Sequence, residues 1–260
     1  MLKGKVALIT GSTSGIGLAT AHVLAEQGIH IVLHGLMSKE EGNALAQEFA
    51  QQYQIKTFFS NADLREPLSI TEFIDKALLH MGGIDILINN AGIQHTASAV
   101  SFPLNKWNDI IAINLSAAFH AIQKILPSMQ ENKWGRIINI ASVHGLVGSV
   151  NKSAYCAAKH GIIGLTKVIA LECVEQGITA NSICPGWVDT PLINNQIQQV
   201  ADQKNIEFDQ AKYNLVTSKQ PLPQMIEPRQ IGEFILFLCS DSARSITGAS
   251  LPMDGAWTAQ

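Results

Sequence analysis

Short apolar runs rich in valine and isoleucine alternate with longer segments of helical periodicity, and this alternation limits the fold more than any other feature. Runs that are apolar throughout are typical of strands buried on both faces of a sheet. Strands that alternate with helices form mostly parallel sheets with helices on both faces. We therefore predict a doubly wound α/β architecture, as a single domain over residues 1–260, with seven strands: Val6–Ile9, Ile29–Leu33, Thr57–Phe59, Ile84–Ile88, Arg136–Ile140, Ala180–Ile183 and Ala249–Met253. The helices are predicted near residues 16–27, 40–52, 68–80, 104–131, 155–175 and 229–239.

Residues 188–226 interrupt this alternation. Prolines at both ends enclose a polar segment rich in asparagine and glutamine, which is also compatible with a low-complexity tract. Ile193, Ile197 and Val200 are spaced to share one face of a helix. The segment follows the carboxyl end of the sixth strand, and open α/β sheets bind ligands outside those ends. We therefore predict a small helical lid over a binding site.

Composition argues against several classes of protein. A net charge of −3 with 15% charged residues provides no basic stripe for nucleic acid. Cys156, Cys173, Cys184 and Cys239 have neither metal-ligand spacing nor the density of a disulfide framework. The amino-terminal apolar run is too short for a signal peptide, and no uninterrupted apolar stretch approaches about 18 residues. We expect a soluble cytoplasmic protein with reduced cysteines and no metal, nucleic-acid or membrane partner.

A glycine-rich turn follows the first predicted strand. Gly11, Gly15 and Gly17 lie where backbone amides can approach a pyrophosphate at the positive end of a helix. Taken alone, such a turn is also compatible with tight packing. Asn89–Gly92, after the fourth strand, is either a simple polar turn or a surface on which adenosine lies close. Together the two segments indicate a Rossmann-type dinucleotide site.

The end of the second strand bears on the choice between NAD and NADP. The segment His34–Met37 lacks the Asp or Glu that would bind the ribose of NAD. It also lacks an Arg or Lys for the 2′-phosphate of NADP, and the nearest charge is Lys39. The absence of a basic residue for the 2′-phosphate favours NAD. Asp63, after the third strand, either accepts a hydrogen bond from the adenine amino group or serves as a surface cap.

Tyr155 and Lys159 are four residues apart in a predicted helix, and Ser142 precedes them. Positions i and i+4 share a helix face, so the Lys159 ammonium can lower the pKa of Tyr155 towards working pH. Removing a hydride from a secondary alcohol requires a base for the hydroxyl proton and a donor at the developing carbonyl oxygen. A phenolate and a serine hydroxyl divide that task. The alternative is a packed tyrosine beside a solvated lysine, because this spacing occurs by chance in many helices.

In this order and spacing, the motifs resemble those of the short-chain dehydrogenase/reductase family. They are T-G-x-x-x-G-x-G at Thr10–Gly17, N-N-A-G at Asn89–Gly92, and Y-x-x-x-K after a serine. The resemblance implies that Tyr155 is the acid–base group and that Ser142 polarises the substrate oxygen. It also implies that Lys159 lowers the pKa of Tyr155 and binds the nicotinamide ribose.

The same resemblance implies further contacts and an assembly. Asn114 would support a proton-relay water, Pro185 and Gly186 would face the nicotinamide carboxamide, and Thr190 would add a hydroxyl there. The subunits would form a homotetramer. The implied cofactor contacts are Gly11, Thr13, Ser14, Gly15, Ile16, Gly17, Gly35, Asp63, Leu64, Asn90, Ala91, Gly92, Tyr155, Lys159, Pro185, Gly186, Val188 and Thr190.

Polar residues near the catalytic motif suggest an acidic substrate. Gln94 follows N-N-A-G, His144 follows Ser142, and Lys152 precedes Tyr155. A lysine and amides can hold a small carboxylate by charge-assisted hydrogen bonds, whereas a long-chain acyl or steroid pocket would be lined by apolar residues. Separately, the three are also compatible with a surface amide, a loop histidine and a solvated lysine.

This set of residues is similar to that of the bacterial D-3-hydroxybutyrate dehydrogenases of the family. The resemblance implies reversible oxidation of (R)-3-hydroxybutyrate to acetoacetate with NAD, with polar side chains on the carboxylate and two tryptophans at the methyl end. The alternatives are a 3-oxoacyl carrier-protein reductase, a dehydrogenase of another small hydroxy acid, and a non-catalytic cofactor-binding protein. The implied substrate contacts are Gln94, Ser142, His144, Lys152, Tyr155, Trp187, Gln196 and Trp257.

Overall fold

The computed structural model describes residues 2–259 and shows one seven-stranded sheet. The strands are β1 (Val6–Ile9), β2 (His30–His34), β3 (Thr57–Ser60), β4 (Ile86–Asn89), β5 (Gly135–Ile140), β6 (Ile178–Pro185) and β7 (Ser250–Met253). They are arranged in the order β3-β2-β1-β4-β5-β6-β7, and all neighbours run parallel. The doubly wound sheet predicted from the alternation is confirmed.

Helices connect these strands on both faces of the sheet. They are α1 (Gly15–Glu26), α2 (Lys39–Tyr53), α3 (Pro67–Met81), α4 (Leu104–Ile111), α5 (Ala117–Glu131), α6 (Ser153–Cys173), α7 (Pro191–Lys204), α8 (Phe208–Thr217) and α9 (Pro228–Cys239). The helical stretch predicted near residues 104–131 is confirmed, and a π-helical turn at Ala112–Ser116 lies within it between α4 and α5.

The central strands contribute side chains to two apolar cores, because successive residues of a strand point to opposite faces. On one face, Ala7 and Ile9 of β1 pack with side chains of α1, α2 and α9. On the other face, Val6 and Leu8 pack with side chains of α3, α5 and α6. The sheet is therefore covered on both sides, and its strand ends are left to form the site.

The stretch Leu104–Glu131 is apolar and long enough, by length and composition, to cross a membrane. Its apolar side chains have another explanation in the fold. Ala121, Ile122 and Ile125 of α5 are buried in the core beside the sheet. Core packing accounts for the composition of this helix, as it does for the central helices of many globular domains.

The polar segment 188–226 contains two helices, α7 and α8, which share a small core of their own. Ile197 and Ala201 of α7 are buried against Ala211 of α8. Val200, expected on the same face as Ile197, is exposed instead. The buried face continues from position 197 to 201, because residues four apart lie above one another on a helix.

A chain of buried hydrogen bonds runs between the central strands and α6. The Asn89 amide donates to the Asn139 carbonyl oxygen, and the Asn139 amide donates to the Thr166 hydroxyl, each at 2.8 Å. The Thr166 and Ser182 hydroxyls are 2.7 Å apart. β4, β5, β6 and α6 are thus joined by polar side chains that have no access to water.

We expect Asn139→Leu to destabilise the protein with little change in side-chain volume. The substitution leaves the buried Asn89 amide without its acceptor, and such a loss lowers the free energy of unfolding by about 1–3 kcal/mol. Denaturant unfolding followed by circular dichroism measures the change. Asn43→Leu, at an exposed position of α2, is the matched control and should shift stability by about 0.5 kcal/mol or less. Equal effects of the two substitutions would show that the buried chain does not stabilise the fold.

Candidate active site

Two loops at the carboxyl ends of β1 and β4 are hydrogen-bonded to each other. The Asn90 side-chain amide donates to the carbonyls of Thr10 and Gly11, at 2.8 and 3.0 Å. The Thr10 hydroxyl accepts from the backbone amides of Asn90 and Ala91. Gly17 lies against this junction, where a Cβ would collide with the Gly11 carbonyl and the Asn90 amide. The close approach of the two loops therefore requires glycine at position 17.

A cavity of about 560 Å³ lies beside these loops. It includes the amino end of α1, where the first-turn amides have no intrahelical partner and Ser14 makes no side-chain cap bond. Its size and its free backbone donors fit a dinucleotide. The predicted cofactor contacts that line it are Gly11, Thr13, Ser14, Gly15, Ile16, Gly35, Asp63, Leu64, Asn90, Ala91, Gly92 and Thr190. Gly17 does not line it and acts through packing.

His34, at the end of β2, is a residue whose function the sequence did not reveal. Its side chain is buried, and its Nδ1 accepts from the Gly11 amide at 3.1 Å. Nε2 therefore carries the hydrogen and donates to the Ala62 carbonyl at 2.9 Å. Burial lowers the pKa of His34, which keeps the ring neutral. The histidine thus ties the glycine turn to the loop after β3.

Gly35, at the end of β2, packs directly against the glycine turn. A Cβ at this position would collide with the side chain of Thr13. Any side chain at position 35 would therefore displace Thr13 from the cavity. This packing explains why position 35 itself carries no side chain.

Asp63 lines the cavity but already has a partner in the chain. Its carboxylate accepts from the backbone amide of Arg65 at 2.9 Å and from the Arg65 guanidinium. This pairing lowers the pKa of Asp63. Arg65 lines the same cavity and approaches Asp109 at 3.9 Å. The sequence did not single out Arg65, since its position in the cavity depends on the loop after β3.

A second cavity, of about 160 Å³, is lined by some of the same residues, including Asn90, Gly92 and Thr190. Ser142, which follows β5, lines it together with Tyr155 and Lys159 of α6. Pro185, Gly186, Val188 and Gln94 complete the predicted part of the lining, while Ile93 and Ile193 also line it without having been predicted. The fold therefore brings Ser142, Tyr155 and Lys159 to one space beside the larger cavity, whereas Asn114 does not line it.

Tyr155 and Lys159 are one helical turn apart, as the spacing predicts. The Lys159 ammonium lies 5.6 Å from the Tyr155 ring centre and donates to the Ile140 carbonyl at 2.6 Å. Burial lowers the pKa of Lys159 to about 8. Burial also raises the pKa of Tyr155, and a hydrogen bond with Ser142 offsets only part of this effect. The sequence predicted that Lys159 would lower the pKa of Tyr155. In the folded protein, desolvation of the phenolate dominates, and the pKa of Tyr155 is raised instead.

Asn114 lies in the π-helical turn between α4 and α5. Its side chain accepts from the Ile93 amide and donates to the Ile93 carbonyl, both at 2.9 Å. It thereby anchors the loop after β4. A small space of about 10 Å³ lies between Asn114, Asn89 and Lys159, which is about the room that one water molecule needs. A proton-relay water at this place stays a prediction.

The polar residues near the catalytic motif form a cluster with two tryptophans. Lys152 Nζ lies 3.4 Å from His144 Nε2 and 5.8 Å from the Trp187 ring centre. The His144 ring is 6.1 Å from that of Tyr155 and 5.5 Å from that of Trp257. The Trp187 and Trp257 rings are 5.6 Å apart. The cluster therefore touches the catalytic tyrosine directly.

This cluster carries polar groups that the chain does not satisfy. Burial and the nearby Lys152 lower the pKa of His144 to about 4, and burial lowers the pKa of Lys152. His144 Nδ1 and Trp187 Nε1 are buried without a hydrogen-bond partner. The Gln94 and Gln196 side chains make no hydrogen bond within residues 2–259. Gln196 is half-buried on α7.

The described residues, 2–259, contain no group of three or more His, Cys, Asp or Glu side chains that could hold a metal ion. Cys156, Cys173, Cys184 and Cys239 are all free thiols. The site is therefore built from backbone amides, hydroxyls, a phenol and two lysines.

Known proteins share this architecture. Residues 5–201 match the short chain dehydrogenase family model. Over 100% of both chains, the protein is 50% identical to a D-beta-hydroxybutyrate dehydrogenase of Cupriavidus necator. It is 46% identical to a D-beta-hydroxybutyrate dehydrogenase of Rhizobium meliloti, over 98% of this chain and 99% of that one. The crystal structure of levodione reductase matches with a TM-score of 0.90 at 32% identity, over 100% of this chain and 99% of the other. From the site geometry and these matches together, the chain belongs to the short-chain dehydrogenase family.

Proposed function

We propose that the protein catalyses the NAD-dependent, reversible oxidation of (R)-3-hydroxybutyrate to acetoacetate. The observation that carries the proposal is the Lys152–His144 pair, which places a partly buried ammonium beside the ring that packs on Tyr155. A cation next to the reacting phenol suits a small anionic substrate. The two relatives named D-beta-hydroxybutyrate dehydrogenase support the same substrate.

A nicotinamide cofactor fits the two adjoining cavities, and when bound it accepts the hydride from the substrate carbon. The larger cavity would hold its adenosine and pyrophosphate through the glycine turn and the amino end of α1. The smaller cavity would hold its nicotinamide end, with Lys159 on the ribose and Pro185, Gly186, Val188 and Thr190 around the ring.

The proton of the substrate hydroxyl passes to Tyr155, while the Ser142 hydroxyl donates to the oxygen that becomes the carbonyl. Because burial raises the pKa of Tyr155, the phenolate needs nearby positive charge, to which Lys159 contributes. A pKa of about 8 allows Lys159 to exchange a proton near neutral pH. A water in the space beside Asn114 would accept that proton from Lys159.

The substrate carboxylate is held by the polar side of the cluster. Lys152 supplies the charge, and His144, Gln94 and Gln196 supply hydrogen-bond donors that have few or no partners in the chain. Trp187 and Trp257 lie side by side and enclose the methyl end. Closure of α7 would bring Gln196 to this cluster.

The charges of the larger cavity support NAD over NADP as the cofactor. Arg65 is the one Arg or Lys among the described residues that line this cavity. Its guanidinium is paired with the Asp63 carboxylate. A 2′-phosphate would therefore meet no free positive charge. The same shortage of basic residues weighs against a 3-oxoacyl carrier-protein reductase, the main alternative. A non-catalytic cofactor-binding protein would have no need for Ser142 beside Tyr155.

We further propose a single domain whose residues 188–226 form the substrate lid, and a cytoplasmic homotetramer without nucleic-acid, membrane or metal partners. The separate core of α7 and α8 supports a lid that moves as one unit. Phe119 of α5 and Val168 and Leu171 of α6 are large apolar side chains exposed on the surface. Such exposure supports contacts between subunits.

The proposal predicts that (R)-3-hydroxybutyrate with NAD reduces the cofactor, measured by absorbance in the reduced-nicotinamide band. Both enantiomers are compared, each with NAD and with NADP. We expect the R acid with NAD to exceed the other three combinations by about 100-fold, because a misplaced hydroxyl or an unpaired phosphate costs binding energy of that order. Turnover of 3-oxoacyl thioesters in the absence of turnover of the free acid would overturn the substrate assignment.

Lys152→Ala should raise KM for 3-hydroxybutyrate by about 10- to 100-fold, since it removes a charge-assisted hydrogen bond to the carboxylate. The KM for NAD should stay near that of the wild type. Lys204→Ala, at an exposed position of α7, is the matched control. Unchanged steady-state kinetics in Lys152→Ala would eliminate Lys152 as the anchor.

The neutral state of His144 predicts a dependence of stability on pH. Its pKa falls from 6.5 to about 4 on folding, so the unfolded chain binds a proton that the folded protein does not. Stability contributed by this burial is present above about pH 6.5 and is lost as the pH falls towards 4. As the pH falls from 6.5 to about 4, the free energy of unfolding of His144→Gln, measured in urea, should therefore decrease by less than that of the wild type. His160→Gln, at an exposed position of α6, should follow the wild type; the same behaviour of His144→Gln would contradict the neutral histidine.

A further inference from the structure

Gln220 is a completely buried amide in an otherwise exposed part of the chain. It follows α8, and its relative exposure is 0%. Pro221 and Pro223 beside it are exposed, and Leu222 is half-exposed. Glutamine is mostly found at the surface, so a buried one needs partners for its polar atoms.

The Gln220 side chain uses both of its polar ends. Its Nε2 donates to the carbonyls of Leu222 at 3.0 Å and Gln224 at 2.6 Å. Its Oε1 accepts from the backbone amide of Trp187 at 3.4 Å. One side chain therefore connects the segment that returns from the lid to the turn after β6. Among the amino acids, only glutamine has an amide, with a donating NH2 group and an accepting oxygen, on a side chain of this length.

The same side chain also fills the space beside the carboxyl-terminal segment. A Cβ at Gly255 would lie 2.6 Å from Gln220 Cγ, and a Cβ at Gly186 would lie 2.8 Å from its Oε1. The Leu222 amide donates to the Gly255 carbonyl at 3.1 Å. Residues 185–188, 220–224 and 254–257 thus meet around Gln220.

Two of these three segments carry the tryptophans of the substrate cluster. Trp187 belongs to the first and Trp257 to the last, and their rings are 5.6 Å apart. Asp254 accepts from the Thr258 amide at 2.9 Å and so closes the turn that presents Trp257. The Gln220 side chain therefore binds the backbone at Trp187 directly and packs beside Gly255, two residues before Trp257.

We propose that Gln220 is a positioning residue that sets the separation of Trp187 and Trp257, and through it the chain length of the hydroxy acid that the site accepts. This inference rests on the proposed function. The Gln220 amide accepts from the Trp187 backbone amide and fixes the fold of segment 220–224. The Leu222 amide of that segment donates to Gly255 in the turn before Trp257, so loss of the Gln220 amide lets the two rings separate. The apolar end of the pocket then becomes larger, while the carboxylate anchor and the catalytic tyrosine stay in place.

The test compares Gln220→Met and Gln220→Asn with the wild type. Methionine keeps the side-chain volume without the hydrogen bonds, whereas asparagine is the milder change, with the same groups on a shorter arm. Gln210→Met, at an exposed position of α8, is the matched control. For each variant, kcat and KM are measured with (R)-3-hydroxybutyrate, (R)-3-hydroxyvalerate and NAD.

We expect the ratio of kcat/KM for the five-carbon acid to that for the four-carbon acid to rise about tenfold in Gln220→Met, the size of effect that one methylene group produces in an apolar pocket. Gln220→Asn should change in the same direction by less, and the KM for NAD should not change. If both variants fold, as judged by their unfolding transitions, and keep the wild-type ratio, Gln220 has a structural role only and the proposal is wrong.

Near-ultraviolet circular dichroism of the tryptophans tests the positioning without any substrate. The paired rings of Trp187 and Trp257 contribute a signal that Trp257→Phe removes, and Gln220→Met should lose most of that signal. An unchanged spectrum would overturn the proposal even if the enzyme acts on 3-hydroxybutyrate. Absence of turnover in the wild type would instead refute the proposed function, while the spectrum would still decide whether Gln220 positions the rings.

Discussion

Buried hydrogen bonds between Asn89, Asn139, Thr166 and Ser182 hold the centre of the molecule in register. They join three parallel strands to α6, the helix that carries both Tyr155 and Lys159. An apolar interface alone would permit small rotations of that helix, whereas hydrogen bonds without access to water have narrow geometry. The orientation of the catalytic helix relative to Ser142 and to the cofactor loops depends on this set of contacts.

The site places several ionisable groups where water reaches them poorly. Lys159 and His144 are buried and have a lowered pKa, and the pKa of Tyr155 is raised. Each of these changes disfavours the charged form. Among the described residues, His144 Nδ1 and Trp187 Nε1 are buried without a hydrogen-bond partner, which supports the anion site proposed for this cluster. Burial disfavours the charged forms of these ionisable groups in the protein alone. It also strengthens each electrostatic interaction that a ligand would make with them.

Local motifs predicted many of the residues that line the two cavities, because such motifs depend on short spacing. Tyr155 and Lys159 need only one helical turn, and the glycine turn needs only a strand followed by a helix. The exceptions depend on distant contacts. His34 reaches Ala62, Arg65 approaches Asp109 beside the larger cavity, and Gln220 contacts Trp187 in the turn after β6. No periodicity in the sequence records such contacts.

The substrate cluster required the tertiary structure in the same way. Lys152 and His144 were predicted as separate candidates, and their 3.4 Å separation depends on how the loop after β5 packs on the start of α6. Trp187 and Trp257 are far apart in sequence, and they meet because β6 and β7 are neighbours in the sheet. Gln196 was predicted with them, and its part in the cluster stays a prediction.

By itself, the sequence determined the order of strands and helices, the dinucleotide-binding turn and the identity of the acid–base pair, because hydrophobic periodicity and short motifs act over neighbouring residues. The tertiary structure decided the pKa directions, the π-helical turn that carries Asn114, the exclusion of a side chain at Gly35 and the shape of the substrate pocket. These depend on burial and on close contacts between distant segments, which form only when the chain is folded.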